Sequence, residues 1–449
     1  MSTTGKTRFP PKWVGLPKAR LSRVNAVDAR DSEQAVAEGT SSSGRGTKRL
    51  SGQGVLLLAV NGLFAVANAL SGLFVNVYLW KMKQDFALIG WFAFTQQLTM
   101  ACTFWIAGKW VKEKNKMAIL RSGVAVNALF YLTILLLQER SIHFVIPLGI
   151  LMGLASGLFW LAFNVVYFEV TDPDNRDRFN GWAGLLGSGA GMLAPWLSGW
   201  IITRMNDTAG YRLIFSLSLG VFVVGVITSF FLHRRKAQRD YRWSHPIRKL
   251  SDPRNSWRRV FAALVAQGMR EGVFGFIIAL LVFISTKSEA NLGNFSLATS
   301  AVGLISFWVV GKWLKPAYRK WGMLVGVIVM TVVILPFFWK VSYSTLLFFG
   351  IGVGLFIPLY TVPMTSAVFD LIGMDREGAD LRVEYIVFRE LGLNAGRMTG
   401  TLLFIAAVSI STNPLVINWL ILLIGSSPIV VWVLMRGLVD SRFRKPANG

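Results

Sequence analysis

Ionisable side chains stand inside stretches of this chain that are otherwise too apolar to tolerate them. One stretch carries Arg270 and Glu271, about 13 residues in from Trp257, or roughly 20 Å along a helix rising 1.5 Å per residue. Another carries Glu390, Asn394 and Arg397, whose i, i+4, i+7 spacing puts them on one helix face. An unpaired charge in an apolar medium costs several kcal/mol, so such groups point to ion or solute chemistry. Successive helical residues point about 100° apart, so Arg270 and Glu271 must face different partners. The expected pairing is Glu271 with Arg397, leaving Arg270 for an anionic group on a solute; a purely structural ion pair between helices would use the same residues. Glu271 and Glu390 are the candidates for carrying a coupled proton, because a carboxyl gains or loses its proton as an arginine leaves or joins it.

Uncharged polar groups recur at helical spacing elsewhere. Asn61, Phe64, Asn68 and Ser71 follow i, i+3, i+7, i+10, and Gly157, Trp160, Asn164 and Tyr167 repeat that spacing; Tyr360, Thr361 and Thr365 stand beside Pro358 and Pro363. Any one of these could make an interhelical hydrogen bond of about 0.6 to 2 kcal/mol. Their recurrence in several segments favours a lined cavity, whereas Gln96, Gln97 and Asn127 read as packing. Two acids, Glu169 and Asp370, lie 201 positions apart at corresponding segment ends, close to Arg176, Arg178, Arg376 and Arg382. They form either ionic latches or solvated helix ends.

The elements that hold these residues follow from composition. Apolar residues make up 53% and charged residues only 16% of the chain, which excludes an ordinary soluble domain. A bilayer crossing needs about 20 mostly apolar residues, and twelve segments qualify: 52–79, 86–108, 117–138, 144–168, 182–203, 212–232, 258–285, 296–314, 321–339, 345–369, 388–410 and 414–436. They are expected to be helices, because lipid leaves unpaired backbone groups unsatisfied and the alternation of a barrel strand is missing. The net charge of +24 is distributed by topology. Alternate loops carry Lys109, Lys112, Lys114 and Lys116, then Arg178, the run from Arg234 to Arg259, Lys312, Lys315 and Lys320, and Arg382, while the opposite loops carry few cations. By the positive-inside rule both termini are expected in the cytoplasm and the chain in the cytoplasmic membrane; no nucleic-acid partner is implied. Residues 1–47 read as a disordered tail, 48–232 as a first bundle, 233–256 as a basic linker, 257–437 as a second bundle and 438–449 as a terminal tail. The single cysteine, Cys102, allows no intrachain disulfide.

The two bundles look like one unit written twice. Gly108-Lys109-Trp110 and Gly311-Lys312-Trp313 stand 203 positions apart, each followed by cations and each expected to end a helix. Six spans plus six, a basic central loop and this Gly-led cationic loop resemble the major facilitator superfamily over nearly everything after residue 48. The resemblance implies an all-α fold of two pseudo-symmetric six-helix bundles, with helices one, four, seven and ten around a central cavity. It casts Asn61, Asn68, Trp160, Asn164, Tyr167, Arg270, Tyr360, Thr361, Asn394 and Arg397 as cavity lining, and Gly108, Lys112, Gly311, Lys315, Glu169 and Asp370 as gates. In that superfamily the loop after helix two usually has Asp where Lys112 stands, so the gating contact must be made differently here. Gly181, Ala190, Ala194, Pro195, Ser198 and Gly199 resemble an antiporter-type motif of helix five, or are ordinary small-residue packing. Many drug exporters of the superfamily carry Arg in helix four where this chain has Gly149.

The resemblance implies a secondary active transporter of a small solute, monomeric, coupled to protons and exporting, with membrane lipids as its surroundings and no cofactor. A lipid or amphiphile translocase is the alternative, as is a sensor or scaffold working through the basic central loop. An enzyme is not expected: the three histidines fall in loops, and neither a Gly-x-Ser-x-Gly elbow nor a phosphate-binding Gly-x4-Gly-Lys-Ser/Thr loop occurs.

Overall fold

Short polar residues punctuate the apolar sequence and set where helices begin. Ser51 starts α1 (Gly52–Lys83) by accepting from the Gly54 amide at 3.1 Å. Asp85 starts α2 (Phe86–Glu113) by accepting from the amides of Ala87 and Leu88 at 2.9 and 3.3 Å, and Asn115 caps α3 (Lys116–Leu137) in the same way. Such caps satisfy amides that no preceding turn can serve. A 3-10 turn leads to α4 (Val145–Val170), followed by α5 (Arg176–Arg204) and α6 (Asp207–Phe230). A short helix, Ser244–Ser251, lies in the linker. The second half holds α7 (Ser256–Thr286), α8 (Glu289–Trp313), α9 (Arg319–Val332), α10 (Tyr343–Met374), α11 (Arg382–Ile410), α12 (Pro414–Gly425) and α13 (Ser427–Val439). The last expected span is thus broken in two beside Pro428, which cannot donate to the turn before it. This computed structural model describes residues 50–440 apart from 172–174, 206, 234–239, 252–254 and 375–380; the expected first tail, 441–449 of the expected terminal tail, Arg376 and 234–239 and 252–254 of the linker therefore lie outside the described residues, while 438 and 439 belong to α13 rather than to a tail.

The protein is an all-α, multi-pass membrane protein. Among the described residues ten stretches are long and apolar enough to cross a bilayer, one of which, Lys116–Val170, contains both α3 and α4. Polar Thr95, Gln96, Gln97 and Thr99 dilute α2, which is not among the ten; twelve crossings are compatible with these lengths.

The repeat is visible in the backbone. Gln84 ends α1 and Lys287 ends α7 in the left-handed conformation, at φ 51° and 52°, each followed at once by the capping residue of the next helix, Asp85 or Ser288. The separation is again 203 positions. Gly108 and Gly311, however, do not end helices: α2 runs on to Glu113 and α8 to Trp313, and no glycine among the described residues has a positive φ. Gly108 is instead a packing position, where a Cβ would lie 3.0 Å from Val387 Cγ2 and 3.2 Å from the Tyr241 hydroxyl.

Helices α1–α6 pack on one another, as do α7–α13, and the halves meet chiefly through α2 against α11 and α5 against α8. Within the second half α7 and α11 cross almost backbone to backbone. A Cβ at Gly268 would overlap the Leu393 carbonyl, and one at Gly396 the Val265 carbonyl. In this respect the crossing follows the small-residue rule for helices in lipid. It holds the middles of both helices, where their ionisable groups lie, in fixed register.

Candidate functional site

The ionisable residues of α7 and α11 form one network at that crossing. Arg397 donates from Nη2 and Nε to Glu271 Oε2 at 2.8 and 3.3 Å, while Gln267, one turn earlier on α7, donates to Glu271 Oε1 at 2.7 Å. Arg397 Nη1 reaches Asn394 Oδ1 at 3.2 Å and Glu390 Oε2 at 3.8 Å, and Arg389 Nη1 donates to Glu390 Oε1 at 3.0 Å. The anticipated Glu271–Arg397 pair is therefore formed, on one face with Glu390 and Asn394. Gln97 of α2 reaches it from the other half, donating to the Gly272 carbonyl at 3.4 Å and accepting from Thr401 at 3.0 Å. Gln267 and Thr401 escaped the sequence reading, Arg389 was taken for a loop cation and Gln97 for packing. The usable signal was spacing, since Gln267 lies i−4 from Glu271 and Thr401 lies i+4 from Arg397.

Arg270 points elsewhere, as the 100° rule requires. Its guanidinium carbon sits 4.6 Å from the centre of the Phe274 ring, and it lies within electrostatic reach of Tyr360 on α10. A desolvated cation–π contact is worth about 2 kcal/mol, whereas burying an ion costs several kcal/mol. The ring offsets only part of that cost.

A separate cavity of about 650 Å³ opens in the first half, lined by Asn61, Asn68, Trp160, Asn164 and Tyr167, with Phe64, Gln96, Asn180 and, from α10, Phe369. All five lining residues expected from α1 and α4 are present. Arg270, Tyr360, Thr361, Asn394 and Arg397 are not part of this lining, so the two halves of the anticipated site are not joined in this conformation. Thr361 spends its hydroxyl on the Ile357 carbonyl at 3.0 Å, and buried Ser71 turns back to Ala67 at 3.1 Å.

Ion contacts join the halves at both ends. At the end carrying the basic loops, Lys112 Nζ of α2 meets Glu384 Oε1 of α11 at 2.6 Å with both side chains buried. The linker straps this pair: the Arg242 amide donates to the same Glu384 oxygen at 3.0 Å and the Tyr241 amide to Glu113 at 2.8 Å. Burial, and then the Glu384 carboxylate, push the Tyr241 phenol up. At the opposite end Lys81 of α1 pairs with Glu289 of α8 at 2.9 Å, and the Tyr211 hydroxyl donates to the same carboxylate oxygen at 2.9 Å.

Glu169 pairs with Lys116 of its own half, Asp370 is half-buried, and Gly311 is exposed and Lys315 half-buried; the side chains of Arg176, Arg178 and Arg376 lie outside the described residues. The small residues of α5 seat it on α8. Pro195 has no amide to give the Gly191 carbonyl, and Ser296 and Ser300 of α8 donate to that carbonyl instead at 3.3 and 3.4 Å. Ala190, Ala194 and Ser198 are buried, and a Cβ at Gly199 would overlap the Glu289 carbonyl; Gly181 faces open space and is not part of the contact. Gly149 meets α2 so closely, with a Cβ only 2.8 Å from the Phe92 carbonyl, that no arginine fits there.

Comparison with known proteins places this geometry. Residues 48–379 match the sequence model of the Major Facilitator Superfamily. The uncharacterized protein YqgE of Bacillus subtilis (strain 168) is 37% identical over 391 residues, 87% of this chain and 90% of that protein. A Geobacillus stearothermophilus protein encoded in the sodM 3' region is 40% identical over 161 residues, 36% of this chain and 75% of its own. A bacterial homologue of the iron transporter ferroportin, outward-facing with soaked iron, has a TM-score of 0.60 at 14% identity, over 86% of this chain and 98% of that one. The inward-facing structure scores 0.59 at 15% identity, over 88% and 100%.

Proposed function

The chain belongs to the major facilitator superfamily and is a membrane transporter, not an enzyme, and from that premise we propose that it is a secondary active transporter that carries a small solute by rocking its two halves. The observation that carries this reading is the pair of inter-half ion contacts, Lys112–Glu384 at one end and Lys81–Glu289 at the other, with a cavity between. Each contact is short, polar and separable, so losing one while keeping the other opens one end of the cavity. With the basic loops inside, Lys112–Glu384 is the cytoplasmic gate and Lys81–Glu289 the external one, in a monomer of the cytoplasmic membrane with both termini cytoplasmic.

Protons are the proposed coupling ion. Glu271 has the geometry for it: a carboxylate 38% exposed at the middle of α7, held by an arginine 21% exposed on α11 and joined through Gln97 to the half that must move against it. Export is the proposed direction, supported by the α5 motif seated on α8. The structural neighbours include a homologue of an iron transporter and a bacterial metal transporter, but the cavity here offers carboxamides and aromatic rings, which suit an organic solute better than a transition metal. A lipid or amphiphile substrate is supported by one feature, an apolar groove of about 480 Å³ between α1 and α5, lined by Leu58 and Trp182 with Arg178 among them.

Proteoliposomes containing pyranine and an imposed pH gradient, screened with organic solutes and a fluorescent phospholipid, test the proposal. The carried compound should dissipate the gradient, and Glu271→Gln should keep solute exchange while losing proton movement. Proton movement unchanged in Glu271→Gln contradicts the coupling role.

A further inference from the structure

Arg270 of α7 and Tyr360 of α10 are both more than nine-tenths buried, at 8% and 3% exposure. The Arg270 Nε and the Tyr360 hydroxyl have no hydrogen-bond partner. Arginine stays protonated, so this is a cation held at mid-membrane against Phe274. The adjacent carboxylate, Glu271, is turned to Arg397 and Gln267. Tyr360 and Glu271 are the ionisable groups that act on Arg270 electrostatically. A guanidinium whose Nε and a phenol whose hydroxyl are both buried donors without an acceptor describe a site awaiting a group of opposite charge.

We infer that Arg270 and Tyr360 bind a singly charged oxyanion, the carboxylate of the transported solute; the inference rests on the transporter reading and deepens it by naming the substrate as an organic monocarboxylate. Charge stoichiometry sets the valence. One guanidinium balances one negative charge, and the Glu271 carboxylate next to it disfavours a dianion such as phosphate. Geometry sets the group, because the edge of a guanidinium presents two parallel N–H donors that match the two oxygens of a carboxylate, with the phenol as third donor. When the halves move together, the body of the molecule is accommodated by the first half, where Trp160, Tyr167, Asn61 and Asn164 offer rings and carboxamides. Phe369 brings α10, the helix of Tyr360, to that cavity.

Acetate, benzoate and indole-3-acetate serve as probes for the purified full-length protein in a neutral detergent, read by thermal shift and calorimetry. At least one should stabilise the wild type, with binding about tenfold or more weaker in Arg270→Gln, weakened less in Arg270→Lys and in Tyr360→Phe. Unliganded Arg270→Gln should be as stable as the wild type or more so, since it no longer buries an unpaired charge; a lower unliganded melting temperature would make Arg270 a structural cation and overturn the inference. So would equal binding by wild type and Arg270→Gln, or no stabilisation by any of the three acids. Nanodiscs of phosphatidylglycerol against phosphatidylcholine separate the remaining source of such an anion: stabilisation through Arg270 by the anionic lipid, without an effect of the acids, overturns the solute assignment. Spin-label distances between the halves report alternation independently, so alternation without acid binding removes this inference and leaves the proposed function standing.

Discussion

Lys112 stands where its superfamily's loop usually has Asp, and its carboxylate partner was 272 positions away, on a helix whose first turn carries no special pattern. The departure was legible; the partner was not, because no local periodicity connects α2 to α11. The reverse holds for Glu271, whose partner could be guessed because apolar segments offer few charges to choose from. Around Glu169, where many loop cations compete, the sequence singled out no one partner, and Lys116 of the same half pairs with that acid. A buried pair broken on one side leaves an uncompensated charge, at a cost of about 3 to 5 kcal/mol. Glu384→Ala is therefore expected to destabilise the detergent-solubilised protein by roughly that amount. Exchanging the charges, Lys112→Glu with Glu384→Lys, should restore only part of it, because the Arg242 amide donates to the Glu384 carboxylate and would then face an ammonium. Full restoration in thermal unfolding would show that the linker amide contributes nothing.

Helix positions were read with few errors, since long apolar runs in lipid have one solution. Their ends were less legible: Gly108 was taken for a helix end, although α2 gains by continuing past it, its missing side chain admitting Val387 and Tyr241. The close crossing of α7 and α11 escaped notice for the complementary reason. Gly268 and Gly272 on one helix and Gly392, Gly396 and Gly400 on the other repeat at i, i+4, but such spacing is common in membrane helices and acquires meaning only when two faces meet. Gly396→Ala is expected to force α7 off α11, lowering stability by about 1 to 3 kcal/mol and lengthening the Glu271–Arg397 contact. Gly437→Ala in α13, where a Cβ meets open space, should be neutral or stabilising by up to about 1 kcal/mol. Equal effects of the two substitutions in thermal unfolding would deny the seam its structural role.

At the scale of the whole molecule the twofold repeat was legible from 203-position offsets, and the turns at Gln84 and Lys287 bear it out. The repeat is nonetheless unequal in chemistry. The first half supplies an uncharged, aromatic cavity and the second an ion network with a dry cation, and the pattern of individual helices could not tell that these remain apart in this conformation. Bringing them together is work for a relative motion of the halves, and that motion is the central claim. Its most direct test is electron–electron distance measurement in a Cys102→Ser background. One spin-label pair at Gln84 and Lys287 reports the opposite end, and another at Lys114 and Ala317 the basic end. Two populations are expected at each end, with distances that change in opposite senses when pH or the Lys112→Ala substitution shifts the balance; a single distance at both ends, unmoved by either, would contradict alternating access and return the chain to the role of a fixed membrane scaffold.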